Sequence, residues 1–148
     1  MFKWVRKIKT FKNIPKEVKL IFAEALITSA WVKLSLIFFP FKRVMGWLGS
    51  ANIESDTQPN EQTIHTRKNI RAALQLCKKY ALWPTECYTL SLTGKILLKR
   101  RKINGTLYIG FIKSEEGKYK GHAWLRSADT YICGFKESIG YPKNLIFS

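Results

Sequence analysis

The chain has 148 residues, 46% of them apolar and 14% aromatic, which excludes global disorder and suffices for one domain with a real core. A formal net charge of +16 points to an acidic partner: an anionic peptide, an acidic protein surface, a membrane face or nucleic acid. Three cysteines, an odd number without paired spacing, argue against a disulfide framework and for a reducing, cytoplasmic compartment.

Residues 1–49 form a basic, amphipathic helical arm. Met1–Thr10 is basic but has no long apolar run and no small-residue cleavage site after it, so no secretion signal is expected. Asn13-Ile14-Pro15-Lys16-Glu17 predicts a helix start, with Asn13 as cap and Pro15 in the first turn. Val18, Phe22, Ala25, Leu26 and Ser29 then recur at helical spacing. A second apolar stretch, Trp31–Phe39, stops at Pro40. Glu24 and Lys33 interrupt the apolar run Leu20–Phe41, which argues against a membrane span. Three readings of the arm stay open: a packed wall, a groove for a partner, or a peripheral, interfacial membrane helix.

Residues 50–62 are polar and rich in turn formers, as in a surface linker. Residues 63–148 read as the main domain. Ile70, Ala73, Leu74 and Cys77 mark one face of a helix running to about Ala81. Trp83-Pro84-Thr85 ends it and caps the next helix, whose Cys87, Leu90, Ser91 and Gly94 share a face. Small residues at that spacing suit close packing on a sheet. Thr106–Ile112 is β-rich, the turn Ser114–Lys118 leads into Tyr119–Arg126, and a tight turn at Ala128-Asp129 leads into Tyr131–Phe135. Helices followed by an antiparallel meander make an α+β fold.

Two residues carry chemistry. Cys87 begins a helix, where unpaired N–H groups and the helix dipole favour a thiolate. His122, in Tyr119-Lys120-Gly121-His122-Ala123-Trp124-Leu125, is placed on a strand to act as base toward that thiol and then as acid toward a leaving amine. A cysteine on a helix start and a histidine on a later strand is the chain order of papain-like and transglutaminase-like folds. A cysteine peptidase or acyl-transfer enzyme is expected, with no cofactor. Cys77 sits on an apolar stripe and Cys133 among Tyr131, Ile132 and Phe135, so both read as packing residues. His65 reads as surface. No C-x-x-C or H-x-x-x-H spacing supports a metal site. Lys99-Arg100-Arg101-Lys102 is a basic patch without any nucleic-acid-binding pattern around it, and cations at a helix end follow from the dipole alone.

The block Ile70-Arg71-Ala72-Ala73-Leu74, Trp83-Pro84-Thr85-Glu86-Cys87, Leu107-Tyr108-Ile109-Gly110-Phe111 and Gly121-His122-Ala123-Trp124-Leu125 resembles one family over residues 64–135. These are the transglutaminase-like leader peptidases of lasso-peptide biosynthesis, the microcin J25-processing B-protein family, in their standalone form. The resemblance implies removal of the leader from a ribosomally made precursor peptide, with a separate leader-recognition protein and an ATP-dependent cyclase as partners. It implies Cys87 as nucleophile and His122 as base. The family's third catalytic residue, an aspartate about twelve positions after the histidine, is replaced here by Gly134. Asp129 is separated from His122 by about 20 Å of strand at ~3.3 Å per residue. Glu137, a backbone carbonyl or a water is left to orient the imidazole. No strand-rich recognition module precedes the arm, so the arm is expected to dock the recognition protein through Trp4, Phe11 or Trp31. Gly134 also admits a non-catalytic scaffold, and the same residues admit acyl transfer.

Overall fold

The computed structural model describes residues 2–58 and 60–148, with side chains of residues 2–5 and 7 outside the description. Five helices lead into a sheet: α1 (Phe2–Lys12), α2 (Lys16–Phe38), α3 (Phe41–Gly46), α4 (Glu61–Tyr80) and α5 (Cys87–Arg100). Strands β1 (Thr106–Lys113), β2 (Tyr119–Ser127), β3 (Thr130–Cys133) and β4 (Leu145–Phe147) form one antiparallel sheet in the order β3-β2-β1-β4. α5 and α4 pack on the sheet, and α2 packs across both helices. The fold is α+β, with the cysteine-bearing helix on the histidine-bearing sheet.

α2 runs unbroken through Trp31–Phe39 and stops where Phe39 turns extended before Pro40. Asn13 is not its cap: Pro15 takes that position, and no side chain caps the helix. The polar segment also ends earlier than expected. Asn60 accepts a hydrogen bond from the Gln62 N–H at 3.0 Å, which puts Glu61 and Gln62 inside α4. Ile21, Phe22, Ala25 and Val32 of α2 join Leu74, Cys77 and Leu97 in one buried cluster. Much of the arm is therefore a wall of the core.

Close packing of α5 depends on Gly94, where a Cβ would come 2.7 Å from Leu125 and 2.9 Å from Leu74. Arg67 interrupts the stripe Ile70/Leu74/Cys77 yet is 1% exposed. Its guanidinium donates to the Ser127 carbonyl at 2.9 Å, to Asp129 at 3.2 Å and to the Asn60 carbonyl at 3.3 Å. A buried cation needs such partners. They tie the start of α4 to the β2–β3 turn.

Lys95, on α5, is buried and donates to the Gly105 carbonyl. Burial, and then the nearby charge of Lys99, pull its pKa down to about 8 from 10.5. The folded pKa lies below the unfolded one, so the cost of charged Lys95 is complete below pH 8 and fades as pH rises toward 10.5. Lys95→Met should raise stability at pH 7 by about 2 kcal/mol, the gain from removing that cost less one hydrogen bond. Denaturant melts should show the gain shrinking between pH 8 and pH 10.5.

Candidate active site

Cys87 is the first residue of α5. The preceding Trp83–Glu86 segment is non-helical, and Glu86 in the cap position is extended with its carboxylate on Lys33 at 2.7 Å. No side chain caps the helix, and its first backbone bond runs from the Leu90 N–H to the Glu86 carbonyl at 3.0 Å. The N–H groups of Cys87, Tyr88 and Thr89 thus have no intrahelical acceptor, which creates positive potential at the sulfur's end of the helix.

His122 lies on β2 opposite Gly110 of β1, and is 8% exposed. Its Nε2 is 2.8 Å from the Gly134 carbonyl oxygen. A carbonyl only accepts, so Nε2 carries the proton and the lone pair of the neutral ring sits on Nδ1. The ring stacks on Trp124, centroids 6.0 Å apart at 16°, and Tyr141 lies 5.4 Å away on a tilt. Gly110 lets the 141–142 segment cross β1: a Cβ there would strike the Pro142 carbonyl and come 3.0 Å from Tyr141. Gly121 likewise makes room for the hydroxyl of Tyr88, tying the residue after the cysteine to the residue before the histidine.

Cys87 and His122 line one open cleft of about 540 Å³ between α4, α5 and β3, together with Gln75, Ser91, Cys133 and Gly134. Burial pushes the Cys133 thiol up to about 11. Its sulfur is 3.5 Å from the Ser91 hydroxyl, so it is a protonated wall residue at neutral pH. Cys77 is in the core beside Ser29, its pKa raised by burial. His65 is on the surface, 3.0 Å from Glu17.

Neither carboxylate weighed as third member reaches His122. Asp129 is held at the cleft's outer end by Arg67, whose hydrogen bond keeps its carboxyl below the usual range. Glu137 faces Lys78 at 3.8 Å. The orienting group is the backbone carbonyl of Gly134, the residue that stands where an aspartate was expected. Gly134 has φ +78°, and a Cβ there would lie 2.5 Å from the Ala123 carbonyl and 3.1 Å from the Trp124 backbone. This turn aims a carbonyl at the imidazole and has no space for a side chain.

Tyr141, Tyr88 and Arg67 escaped the sequence reading; only Arg67 left a trace, as a cation on an apolar stripe. Phe11 and Trp31 lie outside the cleft lining: Phe11 is edge-on to Phe22 at 6.0 Å, and Trp31 packs on Trp47 at 6.1 Å. The side chain of Trp4 lies outside the described residues. Among the described residues no three His, Cys, Asp or Glu side chains gather as a metal site.

A family model described as the transglutaminase-like superfamily matches residues 35–143, from the last turn of α2 through the segment that packs on His122. The chain belongs to the transglutaminase-like superfamily. This superfamily includes cysteine peptidases and acyl-transferases, and its members are typically cysteine-based enzymes. No curated protein and no solved structure matches the chain.

Gly134→Asp should therefore fail to build a triad. The strained φ and the backbone clash should lower stability by about 1–3 kcal/mol. Thermal melts would show the loss, and iodoacetamide labelling of Cys87 should slow because the displaced turn no longer aims its carbonyl at His122. Faster labelling with unchanged stability would contradict the geometry.

Proposed function

We propose that this protein is a cytoplasmic cysteine peptidase that cuts the leader from a ribosomally made precursor peptide during lasso-peptide maturation. It acts with a separate leader-recognition protein and a cyclase. The observation that carries the reading is the placement of Cys87 and His122 on one open cleft, with the imidazole's Nε2–H fixed on Gly134. The leader-peptidase assignment rests on the sequence blocks around those two residues.

Nδ1 of His122 takes the thiol proton of Cys87, and the sulfur adds to the scissile carbonyl carbon. Negative charge develops on the carbonyl oxygen, and the free N–H groups at the start of α5 stabilise it. The imidazolium then protonates the amine of the core peptide, which leaves as the C–N bond breaks. The leader remains as a thioester on Cys87. Water, deprotonated by His122, hydrolyses the thioester and restores the thiol. Gly134 keeps one tautomer in place throughout, and a carbonyl suffices because a thiolate is intrinsically nucleophilic. Gly134, which on sequence favours a scaffold, supports the peptidase reading through its backbone.

Incubation with precursor and recognition protein should release free leader by mass spectrometry. Cys87→Ala should abolish release, and His122→Ala should slow it by about 10²–10⁴. Cleavage that survives Cys87→Ala contradicts the mechanism. A precursor that binds uncut identifies a scaffold, and leader joined to an amine identifies acyl transfer.

A further inference from the structure

α2 is apolar on both faces. One face carries Val18, Ile21, Phe22, Ala25 and Val32 into the core. The other presents Leu20, Ile27, Trp31, Leu34 and Phe38 to solvent, at the i, i+3/i+4 and i+7 spacings of one helical ridge. Ile27 and Phe38 are each 75% exposed, and Trp31 is 52% exposed. The ridge spans about 27 Å at 1.5 Å per residue. Trp47, after α3, widens it: its ring lies 6.1 Å from Trp31 and 5.3 Å from Phe39.

Beside the ridge is a second cavity of about 550 Å³, walled by Ile27, Trp31, Val32, Trp47, Leu92 and Ile96, with Lys99 and Arg100 also in its lining. It shares no residue with the catalytic cleft. α5 serves both, with Cys87, Leu90 and Ser91 in one and Leu92 and Ile96 in the other.

The surroundings are strongly cationic. Residues 1–48 hold ten Lys and Arg against Glu17 and Glu24. Glu24 is bound by Arg100 at 3.0 Å and Arg101 at 2.5 Å. Partial burial raises its pKa, but these bonds outweigh that and hold the carboxyl below its ordinary value. Lys42 and Arg43 on α3 and Lys99 on α5 are exposed.

We propose that this ridge and cavity seat the protein on an anionic lipid bilayer, with α2 lying in the interface plane and the catalytic cleft left open. The ridge itself carries no hydrogen-bonding side chain except the indole of Trp31. A specific protein interface intersperses polar contacts with apolar ones, whereas the acyl region needs none. Tryptophans bordered by Lys and Arg are the side chains that settle at the headgroup level, and the cations meet the negative surface of a phosphatidylglycerol- or phosphatidylserine-containing leaflet. α2 meets the length and composition of a membrane span, but its opposite face is committed to the core, so it lies on the bilayer and does not cross it.

Flotation of the full chain with phosphatidylcholine vesicles, with and without phosphatidylglycerol, tests this. Binding to the anionic vesicles should exceed binding to neutral ones by about tenfold or more and should fall as salt rises. The triple variant Ile27→Ser/Leu34→Ser/Phe38→Ser changes exposed positions only. It should lose about tenfold or more in binding while its circular dichroism melt and the alkylation rate of Cys87 stay unchanged. Lys42→Glu/Arg43→Glu should bind anionic vesicles more weakly and flatten the salt dependence. A protein that stays off both kinds of vesicle overturns the proposal and leaves the ridge to a protein partner. A triple variant that floats like the wild type overturns it as well.

Discussion

The hydrogen bond between His122 Nε2 and the Gly134 carbonyl is the constraint on which the site depends. This bond fixes the neutral imidazole as the Nε2–H tautomer and leaves the lone pair on Nδ1, the form a base would need if Nδ1 is the nitrogen turned to the cleft. A backbone acceptor does so without adding a charge. The acceptor's position is set by main chain: β3 ends at Cys133, and the next residue turns through φ +78° to cross the ends of Ala123 and Trp124. The β2–β3 pairing shifts register between Leu125 and Arg126, just before that turn. At the far end of the hairpin, Arg67 grips Ser127, Asp129 and Thr130. Asp129 therefore contributes to the site by fixing the hairpin that carries Gly134, with its carboxylate on Arg67 and not on the imidazole.

Cys87 is placed by a different device. α5 starts at Cys87 because the Trp83–Glu86 segment stays out of the helix, and Gly94 brings α5 down onto Leu125 and Leu74. α2 braces α4 and α5 from behind, so the apolar arm supports the cysteine-bearing helix. The same helix pair carries the cleft on one side and the apolar, cation-edged cavity on the other.

What could be read in advance follows from periodicity. The Ile70/Leu74/Cys77 face of α4, the start of α5 at Cys87 and the strands around Tyr108 and His122 all carry patterns longer than one turn or two strand residues. The boundary at Asn13 failed because Pro15 alone starts α2, with no side-chain cap to signal it. Trp31–Phe39 looked like a separate element because α2 is apolar on both faces and so lacks a helical moment. β4 is three residues long, too short to show alternation, and pairs with Leu107–Ile109 on one side and with Ala51 by a single bridge on the other. A backbone carbonyl has no side-chain signature, so Gly134 read as a lost aspartate. Among the alternatives weighed, a main-chain acceptor was the one present, and only the turn geometry could select it.

The measurement that most directly tests this account is the tautomeric state of His122, read from its ring nitrogen shifts by ¹⁵N NMR in the Cys87→Ser protein at a pH where the imidazole is neutral. A single Nε2-protonated tautomer is expected, its proton shielded from exchange by the Gly134 carbonyl. An Nδ1-protonated ring, or two tautomers in rapid exchange, would contradict it.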